Sequence, residues 1–251
     1  MIFHVSTAEG AGVIHRARGE GRKVWGETCT QYLTLGARDL DRPGLDGAMW
    51  MCSPPLREPS DQEALWWALE IGALQAVSSD HAPYRMDASG KLAKGPDAHF
   101  KEIANGMPGL ELRLPVLFDA MVSRGRLGLE KFVELTATAP ARIYGLHQRK
   151  GSIAIGLDAD IAIWDPARSM EIVQGPRHDN AGYTPFAGRT AQGWPETVLR
   201  RGQVVVADGE LRAAPGSGQF LPRHGGPAAA PLGRPAPELD PGRNFGARLL
   251  G

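Results

Sequence analysis

Cysteine is scarce: Cys29 and Cys52 are the only two among 251 residues. Two isolated thiols build neither a disulfide framework nor a closed structural zinc site, so each reads as core packing in a reduced, cytoplasmic protein. An excess of one charge is also missing. Lys+Arg and Asp+Glu number 28 each, which leaves no basic face for nucleic acid or an anionic membrane. No apolar run reaches the ~18–20 residues that a membrane-spanning helix needs. Residues 1–3 lack the charged start and long apolar stretch of a signal peptide. What is present, 42% hydrophobic residues, suits a globular core in one barrel-sized domain or two smaller ones.

The most informative stretch is AVSSDHAPY at residues 76–84. It reads as a short buried strand that ends in Asp80 and His81, with Pro83 unable to continue a sheet ladder. A carboxylate at the C-terminal tip of a strand stands where an α/β barrel places its chemistry. An aspartate there also serves simply to cap a loop or helix, and the motif alone does not separate the two readings.

The chain around it alternates strands and helices, the pattern of a parallel sheet or barrel. Residues 1–6 read as a buried strand with His4 at its end, and a helix follows over about 9–20, capped by Ser6 or Thr7. A strand is expected over 23–28. The apolar run at 48–52 reads as another, leaving through Ser53-Pro54-Pro55. Ser60 and Glu63 have the spacing of a capping box at the start of a helix. Residues 85–100 form a polar loop of the kind that covers an active-site mouth. Beyond Lys150 the pattern turns to strands. Alternation of Ile153, Ile155 and Leu157 and the run 161–164 are followed by a hairpin around Arg201-Gly202 and a second turn at Asp208-Gly209. The domain limits expected are a barrel part over 1–149, a β-sandwich part over 150–223 and a flexible Pro-, Gly- and Ala-rich tail over 224–251.

Five ordered blocks then give the sequence a family likeness: FHVSTAEG (3–10), VWGETCTQYL (24–33), CSPPLR (52–57), SSDHAPY (78–84) and NGMPGLELRLP (105–115). Together with residues 138–166 they resemble the cyclic amidohydrolases, nearest to the C-terminal part of D-hydantoinase and dihydropyrimidinase. The resemblance implies an α/β fold: strands six to eight of a TIM-like (β/α)8 barrel with part of a small β-sandwich. It implies two divalent metals, usually zinc, that share a carboxylated lysine and a hydroxide. It makes His4 a ligand of one metal, and Asp80 a ligand of the other and the catalytic proton carrier. It gives Ser53 and Asn105 backbone groups that hold a cyclic amide or imide. His81 is expected to orient Asp80. Thr30 and Ala104 stand where many relatives have proline.

The same resemblance implies what lies outside this sequence. The family's His-x-His pair, its carboxylated lysine and one more metal histidine have no match here, so the sequence is expected to start near strand six, with roughly 150 residues of strand–helix units upstream. On that expectation the chain alone holds no metal pair and hydrolyses nothing. Three possibilities stay open: the C-terminal part of a hydantoinase-type enzyme, one half of a split enzyme, and a non-catalytic dihydropyrimidinase-related protein. A hydantoin or dihydropyrimidine is favoured as substrate over dihydroorotate or allantoin. The complete protein is expected to be a homo-oligomer, dimer or tetramer, with no nucleic-acid or membrane partner.

Overall fold

The computed structural model describes residues 1–175, 177–223 and 225. The tail expected from residue 224 lies outside them, apart from Gly225. Among the described residues no helix is long and apolar enough to cross a membrane.

Residues 1–5 run beside β1 (Glu27–Cys29), and β1 lies beside β2 (Ala76–Ser78), all parallel. The first pairing is carried by Ile2 N to Trp25 O at 2.7 Å, Glu27 N to Ile2 O at 3.0 Å and Val5 N to Glu27 O at 2.9 Å. In the second, Glu27, Thr28 and Cys29 face Ala76, Val77 and Ser78. The links between parallel strands must cross over, and here each does so through a helix. α1 (Ala8–Gly19) makes the first crossing. The second runs through a short α2 (Thr30–Thr34), a 3₁₀ turn at Asp46–Trp50 and α3 (Pro59–Glu70). Thr7 caps α1, its Oγ1 accepting from Gly10 N at 3.1 Å. Leu65, Leu69, Leu74 and Val77 are almost fully buried between helices and strands.

Several local expectations change. The run at 48–52 is a 3₁₀ turn, not a strand; five apolar residues fit either state, and periodicity cannot separate them. α3 starts one residue before Ser60, with Pro59 in its first turn and Glu58 at the N-cap, which makes no side-chain cap bond. A proline at N1 lacks only an N–H that would have no partner there, so it sets the helix start without a Ser60–Glu63 box. Ile2 and Phe3 are half-exposed rather than buried, and the first helix-to-sheet return becomes regular strand only at Glu27.

α4 (Leu110–Phe118) runs on through a π turn at Asp119–Ser123. α5 (Gly128–Val133) and α6 (Ala139–Ile143) follow, separated by a second π turn. Residues 153, 155 and 157 form no strand, and Ile153 and Ile155 lie on the surface. A four-stranded antiparallel meander then builds up: β3 (Ile161–Glu171), β4 (Thr190–Arg200), β5 (Gln203–Ala207) and β6 (Glu210–Leu211). Both expected turns form. Arg201-Gly202 (φ 48° and 77°) and Asp208-Gly209 (φ 55° and 81°) carry the paired positive φ of tight hairpins. The meander joins the helical layer through Phe118, whose ring stacks on Trp164 with centroids 4.4 Å apart.

Candidate active site

His4 and Asp80 stand at the ends of two of the parallel strands. His4 leaves its strand with φ 57° and Asp80 leaves β2 with φ 44°. The left-handed region costs a non-glycine residue about 1–2 kcal/mol, and such strain collects at functional sites. It breaks strand alternation and turns both side chains toward each other. His4 Nε2 lies 3.5 Å from Asp80 Oδ1, with the two side chains 32% and 26% exposed. The pair is open to solvent on one side and rests on protein on the other.

Beneath it the middle strand presents a buried polar cluster that the sequence reading did not single out as a site. Glu27 is 2% exposed and Cys29 fully buried. Glu27 Oε1 accepts from the Cys29 thiol at 3.0 Å and from the Ser78 hydroxyl at 2.5 Å. Burial, then the neighbouring Glu27 carboxylate, push the Cys29 thiol well above its ordinary pKa. Ligand atoms of His4, Glu27 and Cys29 all lie within 4.8 Å of one another. An i, i+2 pair on a strand points both side chains to one face, and that spacing in GETC was the available signal.

Ser53 and Asn105 come together at a second place. Both line a cavity of about 460 Å³ whose walls include Leu40, Met51, Phe100 and Ile103. The turn at Ser53 is fixed by Pro54 O, which accepts from the Tyr32 hydroxyl at 2.9 Å and the Cys52 thiol at 3.1 Å. The Asn105 segment is tied to both other segments. Gly106 N donates to Met51 O at 2.9 Å, and Ala82 N donates to Met107 O at 3.0 Å. A Cβ on Gly106 would sit 2.4 Å from the Cβ of Ala82, so glycine is needed for that approach. Thus the loops bearing Ser53, Asn105 and Asp80 are hydrogen-bonded side by side. A larger cleft of about 540 Å³, lined by Trp66, Arg124, Arg126 and Arg189, includes none of the four expected site residues.

Lys91, also missed, braces this arrangement. It is fully buried, and its ammonium donates to Met51 O at 3.1 Å and Ala104 O at 2.9 Å, one residue short of Asn105. Burial lowers its pKa to about 8. Since the unfolded lysine titrates near ~10.4, the unfolded chain binds more protons between those values, and stability should rise with pH there by about 3 kcal/mol. Lys91→Met should remove that rise. Urea unfolding of both proteins from about pH 8 to 10 checks it; equal pH slopes would contradict the assignment.

No hydrogen bond joins His81 to Asp80 among the described residues. Its Nδ1 accepts from Gly109 N at 3.1 Å and Leu110 N at 3.2 Å, capping α4. The four first amides of a helix need acceptors, and this imidazole is close enough to take two of them.

The amidohydrolase family model matches residues 6–205. The chain belongs to the amidohydrolase family. It is 42% identical over 222 residues to D-hydantoinase of Rhizobium radiobacter, covering 88% of this chain and 48% of that one. It is 41% identical to D-hydantoinase of Geobacillus stearothermophilus, over 88% of this chain and 46% of that one. Among solved structures, dihydropyrimidinase from Brevibacillus agri NCHU1002 superposes with a TM-score of 0.84 at 40% identity, over 88% of this chain and 47% of the other. This amidohydrolase chain therefore spans about half the length of the relatives it matches. The parallel strands with their helices are part of the hydantoinase α/β barrel, and the resemblance read from the five sequence blocks is correct.

Proposed function

We propose that this chain supplies the strand-six to strand-eight side of a site that hydrolyses a cyclic amide or imide, a 5-substituted hydantoin or a dihydropyrimidine. The observation that carries the reading is the meeting of His4 and Asp80 at 3.5 Å across β1, from the two parallel strands that flank it, both on left-handed backbone. Imidazole nitrogen and carboxylate oxygen suit a divalent ion such as zinc, so the donors fit the metal pair that the family implies. His4 would hold one ion and Asp80 the other. When bound, the pair supplies an acidified water and a polarised carbonyl. The chain's own part is positional and protonic. Asp80 takes the proton of the attacking water and delivers it to the ring nitrogen that leaves. Backbone groups at Ser53 and Asn105 hold the ring, and the hydrogen bonds linking their loops to the Asp80 loop keep ring and carboxylate in register.

Catalytic zinc sites use about three protein ligands each, and His4 and Asp80 provide one per metal. The isolated chain is therefore expected to be inactive. A soluble homo-oligomeric assembly in the cytoplasm belongs to the same reading. The test is to assay ring opening of hydantoin and dihydrouracil with zinc, first with this chain alone, then with the N-terminal half of the Rhizobium radiobacter D-hydantoinase added. Turnover only in the mixture supports the reading. Turnover by the chain alone overturns the division of ligands, and no turnover by the properly folded mixture counts against the function.

A further inference from the structure

We propose that His4, Glu27 and Cys29 form a thiolate-containing site that takes one soft divalent cation, cadmium or zinc, in competition with the His4–Asp80 arrangement. The donor set is a nitrogen, an oxygen and a sulfur, with ligand atoms within 4.8 Å of one another. Tetrahedral coordination at metal–ligand distances of about 2.0–2.3 Å separates donors by roughly 3.3–3.8 Å. Glu27 Oε1 and Cys29 Sγ are already 3.0 Å apart, held by the strand. The closure that remains falls on His4, whose side chain is one-third exposed and can rotate inward.

The second observation is the state of Glu27. It is a buried carboxylate with no ion-pair partner among the described residues. Its hydrogen bonds come instead from a thiol and a hydroxyl. Arg113 is near enough to feel its charge, yet its guanidinium donates to Val77 O at 2.9 Å. A buried carboxylate without a cation is costly. A divalent ion entering past His4 would replace the Cys29 thiol proton, which leaves to solvent, and would neutralise carboxylate and thiolate together. The sulfur makes the site selective for soft ions, whereas His4 and Asp80 offer only nitrogen and oxygen. Because His4 serves both, a soft ion bound low on β1 withdraws a ligand from the proposed catalytic pair.

Cadmium is the probe, added to the chain in reducing buffer and followed by the ultraviolet thiolate-to-cadmium charge-transfer band. One ion per chain should bring up the band. Cys29→Ser should abolish it, and Cys52→Ser should leave it intact. His4→Gln and Glu27→Gln should each weaken cadmium binding at least about tenfold, the loss seen even for groups that merely orient a ligand. Asp80→Asn should not weaken cadmium binding, because it releases His4 from its 3.5 Å contact, which separates this proposal from the two-metal reading, where Asp80 is required. Circular dichroism checks each fold, and the partly exposed His4→Gln carries the test if a buried variant fails to fold. No band in the parent chain, a band that survives Cys29→Ser, or an affinity indifferent to His4→Gln would overturn the proposal.

Discussion

Asp80→Asn, in this chain combined with a complementing N-terminal half, is expected to slow ring opening by about 10³-fold, within the range of a lost general acid–base. The substitution keeps shape and one oxygen but removes the carboxylate proposed to take and return a proton. The loss should fall on kcat, with KM little changed, if the ring is held by the loops bearing Ser53 and Asn105, as proposed above, rather than by Asp80. Metal content measured on the same samples separates the two roles given to Asp80. Slow turnover at full occupancy assigns the defect to proton transfer; slow turnover with one ion missing assigns it to coordination. A fall of less than about tenfold at full occupancy would remove Asp80 from the proton path, since a positioned general base contributes at least about 10²-fold.

Why the placement of His4 and Asp80 at strand ends was legible in the sequence, while their supports were not, follows from how each is built. His4 and Asp80 sit at the ends of short strands followed by a helix cap and a proline, and those punctuation marks are local. The hairpins at Arg201-Gly202 and Asp208-Gly209 are equally local, with φ 48° and 77°, and 55° and 81°. Lys91 is different. It lies in a polar loop that reads as a surface cover, and only the fold sets its ammonium against the carbonyls of Met51 and Ala104, 40 and 13 residues away in sequence. Glu27 and Cys29 were legible as one face of a strand, but their meeting with His4 depends on the parallel pairing of residues 1–5 with β1. The run 48–52 shows the converse failure: it is apolar enough for a strand, yet it coils into a 3₁₀ turn. Such a short run carries no periodicity, so tertiary packing chooses. His81 was expected to orient Asp80, and only the fold shows that its Nδ1 is taken up by the amides at the start of α4.

Gly193→Ala is expected to destabilise the chain by about 3–4 kcal/mol, adding the cost of positive φ to that of overpacking. Gly193 lies in β4 with φ 90°, and a Cβ there would fall 2.1 Å from Phe118 Cδ1 and 2.2 Å from Cε1. The ring has nowhere to go. It is 3% exposed, stacked on Trp164 at 4.4 Å and set edge-on to Phe132 at 5.4 Å. This aromatic cluster joins α4 and α5 to the meander, and α4 in turn presents the amides that hold His81 beside Asp80. Gly188→Ala is the matched control: its φ is also positive at 82°, but nothing lies within 4 Å of the added methyl, so it should cost only about 1 kcal/mol. Urea unfolding of both variants measures the difference, and Phe118→Leu in the Gly193→Ala background should recover part of it by vacating the ring's edge. Equal losses for the two alanines would mean that the sheet shifts off Phe118 without resistance, and the aromatic cluster would then not be what fixes the meander to the barrel helices.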